Sequence, residues 1–308
     1  MGDLERKVTV VVDTTCDLDA QTAEEYGIVR QDAHIIFPNN EQYLETQLSI
    51  DDFYGKMKRL GIPKTAAPNL GEFLQTYTSI LNEGGDCLVF TVTSLHSSIY
   101  ANACEAAKQV LEKQDAVPEG QRGNIVVIDS KTTTGPFGLL AMRTALYAKT
   151  HSLNETVEYA ESLVPRTRGY ATVTKFDNIK KSGRLPRIAG ILAPLAELLQ
   201  IRPLLTIKDG DIILLTRPRT DAGLATQIKN KIAEDINYFR ENDGVSCVDL
   251  FYMHGNNPKT LEAIKPGTLE ALAEAGINCG IIHEGRIGAG IGAHGGPTFA
   301  GVGILYNP

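Results

Sequence analysis

Short apolar runs alternate with amphipathic segments along the first half of the chain. The runs Lys7–Val12, Asp86–Val92 and Asn124–Ile128 have the length and the β-branched composition of buried strands. Helical spacing of apolar residues, with capping and stop signals, predicts helices near Asp19–Tyr26, from Ser49 onward, and at Pro68–Glu83, Ser98–Lys113 and Gly138–Lys149. This alternation favours a mostly parallel sheet covered by helices on both faces.

The order of elements changes after Pro165. Strands are predicted at Arg168–Val173, Ile201–Ile207, Asp211–Thr216, Cys247–Met253, Asn278–Ile282 and Val302–Tyr306, and helices at Asp221–Glu241 and Pro258–Ala275. Asp209-Gly210 between two strands predicts a tight hairpin. We therefore predict an α/β protein with two α/β domains, residues 1–166 and 167–308.

Composition agrees with this size and limits the function. The chain has 308 residues, of which 43% are hydrophobic and 22% charged, as in ordinary globular proteins of two domains. Its net charge of −7 argues against nucleic acid as a partner. Residues 181–220 nevertheless carry seven Lys or Arg and three Asp or Glu. A cationic region on an acidic background predicts contact with an anionic ligand head group or partner surface.

The chain shows no sign of export, of membrane insertion or of a metal centre. Its N-terminus lacks the apolar region of a signal peptide, and the longest apolar run, Ile188–Ile201, is broken by Glu197 and too short to span a bilayer. The five cysteines have no CxxC spacing, so we expect neither disulfides nor zinc. A cytoplasmic location follows as an expectation.

Common enzyme motifs are missing or fail in context. Residues 290–295 match GxGxxG, but Pro297 follows and no acidic residue lies about twenty positions later, so a dinucleotide site is not expected. Neither a GxSxG elbow nor an HExxH pair is present.

Small polar residues stand where loops should follow strands. Thr65 precedes one predicted helix, and Ser97 and Ser98 begin another. Helix N-termini present unpaired N–H groups that bind anions, and two of them at one sheet edge would face a common ligand. Simple helix capping explains each residue equally well.

Two cationic or titratable residues complete the candidate set. His294 lies in a glycine-rich segment that lets the backbone approach a ligand closely, although a histidine there can also serve only to satisfy buried carbonyls. Arg184 lies in the cationic region, where a surface ion pair is the alternative.

Eight short segments, in the right order, resemble the DegV family of bacterial fatty-acid-binding proteins. They are Val11–Leu18 (V-x-D-S-T-x-D-L), Thr65–Phe73 (T-S-Q-P-S-x-x-x-F), Ser94–Ala103 (S-S-x-L-S-G-T-Y-x-x-A), Ile128–Ser130 (I-D-S), Gly138–Leu140 (G-x-G-L-L-V), Lys180–Leu185 (L-K-K-G-G-R-I), Arg202–Gly210 (K-P-I-L-x-x-x-D-G) and Gly292–Pro297 (G-T-H-T-G-P-G).

The resemblance implies a lipid-binding carrier, not an enzyme. It implies a first domain that holds a long-chain fatty acid in an apolar tunnel and a second that closes over the carboxyl group. By motif, Thr65, Ser97, the backbone N–H of Ser98 and His294 would bind the carboxyl group, with Arg184 beside them. A dihydroxyacetone-kinase-like partner would phosphorylate the bound acid to an acyl phosphate, and no cofactor is implied.

The chain departs from the family pattern at the head-group segments. Ala66 stands where the family has Ser, Ser98 where it has Gly, and Gly295 and Thr298 follow the histidine in place of Thr and Gly. These changes do not alter the expected fold, but they affect which ligand the head-group segments would bind.

A buried acyl chain of about sixteen carbons gains on the order of 12 kcal/mol before the losses of ligand freedom. Affinity should therefore come from apolar walls, for which Phe73, Ile99 and Leu139 are candidates, and ordinary core packing is the alternative for each.

Three other functions stay open. Ser97 and His294 could serve as nucleophile and base of an acyl hydrolase or transferase, although no carboxylate with a recognisable spacing orients the histidine. The ligand could be another amphiphile. The chain could also be a structural or regulatory partner whose tunnel is filled by side chains.

Overall fold

A computed structural model describes residues 6–308 except 115, 184–189 and 191–200. The strands of the described part are β1 (Val8–Asp13), β2 (Val29–Gln31), β3 (His34–Ile36), β4 (Gln42–Leu44), β5 (Lys64–Ala66), β6 (Asp86–Thr91), β7 (Ile125–Asp129), β8 (Thr167–Thr172), β9 (Leu204–Lys208), β10 (Asp211–Thr216), β11 (Cys247–His254), β12 (Asn278–Arg286) and β13 (Ala300–Asn307).

The helices described are α1 (Ala20–Tyr26), α2 (Ile50–Leu60), α3 (Leu70–Asn82), α4 (Ile99–Gln114), α5 (Thr134–Ala148), α6 (Leu153–Leu163), α7 (Asp177–Ser182), α8 (Asp221–Asn242), α9 (Pro258–Glu274) and α10 (Ala289–Gly295). Short 3-10 turns follow β1 at Thr14–Cys16 and β4 at Glu45–Gln47.

The strands form a parallel sheet, a larger mixed sheet and a small antiparallel sheet. The parallel sheet has the order β2-β1-β6-β7. The mixed sheet has the order β10-β9-β8-β13-β11-β12, in which β11 and β12 form the parallel pair. The small sheet has the order β4-β3-β5.

Helix α5 joins the two larger sheets. It contacts β1 of the parallel sheet and β8, β11 and β13 of the mixed sheet. Helices α3 and α4 pack on each other and on β6, and α6 also contacts β6. The predicted α/β class, with a parallel sheet flanked by helices in the first half and a second sheet-containing region, is confirmed. The boundary at residue 166 stays a prediction, although β8, the first strand of the mixed sheet, begins at Thr167.

The hairpin is confirmed in detail. Strands β9 and β10 pair antiparallel with Asp211 opposite Lys208. Asp209 and Gly210 have φ of 50° and 89°, as a two-residue turn with two positive φ angles requires. Ser49 also caps α2 as predicted, because its hydroxyl accepts a hydrogen bond from the Asp52 N–H at 3.1 Å.

Other boundaries differ for physical reasons. Helix α5 begins at Thr134, four residues before the predicted start, because Pro136 lies in the first turn, where no N–H is needed. The prediction omits α6, which Ser152 and Glu155 start with a capping box. It also omits α10, since five glycines and alanines among seven residues carry no apolar periodicity.

Candidate functional site

An apolar cavity lies at the carboxyl edge of the parallel sheet. Loops after β1 and β6, strand β5, the start of α5, helix α10 and the β9–β10 hairpin contribute to its wall. The apolar lining residues are Ala33, Ala66, Ala67, Val92, Ile99, Val173, Ile179, Leu205, Ile207, Ile212, Ile291 and Phe299. The polar ones are Thr15, Thr65, Thr93, His96, Ser97, Thr133, Thr134 and His294. Both halves of the chain therefore build the cavity, whereas the resemblance implies a tunnel in the first.

Thr65 and His294 meet on this wall although they are 229 residues apart in sequence. The Thr65 Oγ1 lies 2.9 Å from the His294 Nε2, and the tautomer of the imidazole decides which atom donates. Thr65 occupies the middle of β5, opposite Ile35 of β3, so the small sheet fixes its position. Two of the residues that the sequence predicts for the carboxyl group are thus within reach of one small group.

Asn178 of α7 supports the helix that carries His294. Its side chain is buried and donates a hydrogen bond to the Ala293 carbonyl at 3.0 Å. Because Ala293 precedes His294 directly, α7 fixes the backbone next to the imidazole. Since α7 ends at Ser182, it also connects this wall to the cationic region of the sequence.

Ser97 lies on the cavity wall and also caps α4. Its Oγ accepts a hydrogen bond from the Ile99 N–H at 3.3 Å. Ser98 is exposed and does not belong to the described cavity wall. Its carbonyl accepts a hydrogen bond from the Asn102 N–H at 3.0 Å in the first turn of α4. Side-chain capping is therefore shown by the geometry for Ser97, which also lies at the cavity, whereas Ser98 takes part in the helix start through its backbone carbonyl.

The apolar candidates separate into one wall residue and two core residues. Ile99 is 3% exposed and lines the cavity. Phe73 and Leu139 are fully buried in the main hydrophobic cluster and lie off the described wall. The structure shows Phe73 and Leu139 packed in the core, and their part in a ligand tunnel stays a prediction. Arg184 and its neighbour Arg187 lie outside the described residues.

Sequence reasoning missed the contact between the hairpin and the loop after β6. The Thr93 hydroxyl donates a hydrogen bond to the Gly210 carbonyl at 3.0 Å, and His96 Nε2 lies 3.4 Å from Asp211 Oδ1. A Cβ atom at Gly210 would lie 2.5 Å from the Thr93 Oγ1, so glycine at this position also allows the hairpin to lie against the loop after β6. The separation of more than a hundred residues left no local signal for the contact.

Asp13 holds the loop that leads to Ser97. Its buried carboxyl group accepts hydrogen bonds from the Val92 N–H at 2.8 Å, from the Thr15 N–H at 3.1 Å and from the Thr15 hydroxyl. Burial raises the pKa of Asp13 to about 6, and these donors oppose the rise. The end of β1 thus fixes one loop of the cavity by hydrogen bonds to backbone.

Two kinds of feature are not found within the described residues. No group of three or more His, Cys, Asp or Glu side chains there is placed to hold a metal ion. None of the described helices is long and apolar enough to cross a membrane. The arrangement consists of hydroxyl and imidazole groups set in an apolar wall, which suits an amphiphile whose polar end accepts hydrogen bonds.

Solved structures of similar fold come from several bacteria. A stearic-acid-binding protein from Eubacterium ventriosum matches with a TM-score of 0.80 at 24% identity, covering 98% of each chain. A Thermotoga maritima protein described as revealing a fatty acid binding function matches with a TM-score of 0.76 at 22% identity, over 98% of this chain and 99% of that one. DegV of Bacillus subtilis, described as a fatty acid binding protein, matches with 0.77 at 21% identity, over 98% and 100%.

Curated relatives and a family model agree with the structural matches. A DegV domain-containing protein of Caldanaerobacter subterraneus is 24% identical over 96% of this chain and 98% of its own. One from Clostridium perfringens is 24% identical over 78% and 82%. The model of the DegV family, described as uncharacterised proteins, matches residues 7–307. This chain belongs to the DegV family.

Proposed function

We propose that this protein binds a long-chain fatty acid in the cavity, with the carboxyl group at Thr65, Ser97 and His294. The observation that carries the proposal is the 2.9 Å approach of Thr65 and His294 on an otherwise largely apolar wall. A carboxylate removed from water costs several kcal/mol unless donors surround it, and hydroxyl and imidazole groups are such donors. The fatty acids in the related structures support the choice of ligand.

The apolar wall provides the affinity in this proposal. Each buried CH₂ contributes about 0.8 kcal/mol, so a tail of a dozen or more carbons exceeds what one head group can add. Ile99, Ile207 and Ile212 come from separate elements and contact the tail. The head group then selects acids and sets the orientation.

The experiment is mass spectrometry of lipid extracted from the purified protein, followed by titration with the fatty acid found and with the alcohol of equal length. We expect a long-chain acid in the extract and clearly weaker binding of the alcohol. Extraction of a different amphiphile, or equal affinity for acid and alcohol, would contradict the proposal.

The second part of the proposal is presentation to a kinase. The protein acts as a carrier, and a dihydroxyacetone-kinase-like partner phosphorylates the bound carboxyl group to an acyl phosphate. The resemblance of the sequence motifs supports this role, and the cationic region around Arg184 offers a charge for the added phosphate.

Replacing Arg184 with alanine is expected to leave fatty acid affinity unchanged and to suppress kinase-dependent acyl phosphate formation. The reason is that a guanidinium group stabilises phosphoryl oxygens, which only the product carries. Binding and phosphoryl transfer are measured on the same preparation, with Arg187→Ala as the control from the same segment. Equal loss of both activities in Arg184→Ala would refute this division of labour.

The acyl hydrolase alternative has a direct test in the same preparation. In this structure the described partner of His294 Nε2 is the Thr65 hydroxyl, whereas the Ser97 Oγ accepts from the Ile99 N–H. This pairing does not form a nucleophile–base pair of the triad type. Turnover of a p-nitrophenyl acyl ester that disappears in Ser97→Ala would establish the hydrolase instead of the carrier.

A further inference from the structure

Two buried carboxyl groups bind the start of the helix that carries His294. Asp17 Oδ1 accepts a hydrogen bond from the Gly288 N–H at 2.8 Å, and Glu45 Oε1 accepts one from the Gly290 N–H at 2.8 Å. Both acids are 8% exposed. Gly288 and Gly290 lie just before and within the first turn of α10, so the two acids fix the end of the helix opposite to His294.

The backbone at Gly288 and Gly290 lies so close to these acids that no side chain fits between the backbone and the carboxyl groups. A Cβ atom at Gly288 would lie 2.3 Å from Glu45 Oε1 and 3.2 Å from Asp17 Oδ1. A Cβ atom at Gly290 would lie 2.7 Å from Glu45 Oε2. The two carboxyl groups therefore face each other across a few ångströms, and full ionisation of both would place two like charges in a buried site.

The hydrogen bonds indicate which acid holds a proton. Both oxygens of Glu45 receive donors, since the Thr14 hydroxyl donates to Oε2 at 2.6 Å. Asp17 Oδ2 is buried, and no donor among the described residues reaches it. A carboxylate oxygen without a donor is costly to ionise. The proton therefore belongs on Asp17, and Glu45 is the better stabilised carboxylate of the pair.

The electrostatic surroundings agree with this assignment. Burial, followed by the neighbouring Glu45, raises the pKa of Asp17 well above its ordinary value, and burial raises the pKa of Glu45 to about 7. The titratable and charged groups that face the pair are Asp13 at the end of β1, Cys16 in the turn after it, Asp19 at the start of α1, Arg30 and Asp32 around β2, Tyr54 of α2, and Glu284 and Arg286 of β12. Arg30 and Arg286 are the cations of this set.

We propose that Asp17 and Glu45 are positioning residues for His294, and that the proton held by Asp17 keeps the ligand site assembled at neutral pH. The proposal rests on the function proposed above, since it assigns His294 to the ligand carboxyl group. The neutral Asp17 lets both carboxyl groups bind the backbone of α10. Loss of its proton makes the two acids repel each other and displaces α10 together with the imidazole.

The sign of the pH dependence follows from the direction of the shift. A carboxyl pKa raised in the folded state means that the folded protein keeps the proton at pH values where the unfolded chain has lost it, and the associated stabilisation is lost as the pH rises through the folded value. Since Glu45, with its pKa raised to about 7, is the better stabilised carboxylate of the pair, Asp17 loses its proton after Glu45. Ligand affinity is therefore retained at neutral pH and falls in the alkaline range. An acid of ordinary pKa would already be ionised at neutral pH and would give no such fall.

The test is the pH profile of fatty acid affinity in Asp17→Asn, with Glu45→Gln as a second variant. Asparagine imitates the protonated acid, and it tolerates the left-handed backbone at position 17, where φ is 56°. We expect the wild-type affinity to fall about fivefold or more between neutral and alkaline pH, and the profile of each variant to stay level within about twofold. Asp19→Asn is the matched control, because it removes a charge two residues away and keeps a good N-cap for α1.

A second readout needs no ligand. The ring ¹⁵N chemical shifts of His294 in the ligand-free protein are expected to change at alkaline pH in the wild type and in Asp19→Asn, and to stay constant in Asp17→Asn. Identical pH profiles of affinity and shift in the wild type and in both variants would overturn the proposal. If the shifts behave as expected while His294→Ala binds fatty acid normally, the proposed function fails and the positioning role stands.

Discussion

Replacing Asp249 with alanine is expected to destabilise the protein by about 3–5 kcal/mol. Asp249 of β11 is 0% exposed and accepts hydrogen bonds from the Arg143 guanidinium, from the Ile281 N–H at 2.6 Å and from the Asn307 amide at 2.9 Å. Its removal leaves a half-buried cation, a partly buried N–H and a buried amide without their acceptor, and each buried donor left unpaired costs about 1–3 kcal/mol. The contact between Arg143 of α5 and Asp249 also ties the helix of the first half to the mixed sheet.

Equilibrium unfolding in urea, followed by circular dichroism, measures this effect. Glu270→Ala is the control, since Glu270 is 60% exposed and pairs with Lys229 on the surface, where an ion pair contributes about 1 kcal/mol or less. Asp249→Asn keeps one acceptor oxygen and is expected to lose less than Asp249→Ala. A loss in Asp249→Ala no larger than that in the surface control would show that the buried pair contributes little beyond its cost of desolvation.

The double variant Thr65→Val, His294→Ala is expected to weaken fatty acid binding by about two orders of magnitude or more. Each lost donor to a carboxylate corresponds to about 1.5–3 kcal/mol, and 1.4 kcal/mol is a factor of ten in affinity. Valine keeps the shape of threonine, so the change at position 65 removes the hydroxyl with little loss of packing. Isothermal titration calorimetry on protein stripped of lipid gives the affinities of both single variants and of the double variant.

The fatty alcohol of equal length is the control for this prediction. Its hydroxyl group carries no charge, so the variants are expected to reduce the affinity for the acid far more than that for the alcohol. Parallel loss for both ligands would mean that the substitutions damage the apolar wall or the fold, and the carboxyl group would then have to bind elsewhere.

The regular elements could be predicted from the sequence because their signals are local. The valine run of β1, the Ser49 cap of α2 and the Asp209-Gly210 turn each depend on residues a few positions apart. Helix α10 has no such signal, since its glycines serve close approaches to Glu45, Phe53 and Phe299 and not the helix itself.

The candidate site could be predicted only in part, for the same reason. Thr65, Ser97 and His294 were suggested by motif, and the structure brings all three to one cavity. His96 and the hairpin wall were missed, because the approach of Asp211 to His96 depends on how the two halves pack. For Phe73 and Leu139 the tunnel role stays a prediction, since apolar residues at helical spacing cannot reveal whether they face a ligand or the core.

The distance along the chain between Thr65 and His294 has a consequence during synthesis. A growing polypeptide folds from its N-terminal side, and the strand with Thr65 is made long before the helix with His294. A nascent chain therefore cannot capture an acid by both groups until residue 294 has left the ribosome. In the proposed function, the carboxyl site is therefore complete only in a chain that has been synthesised through residue 294.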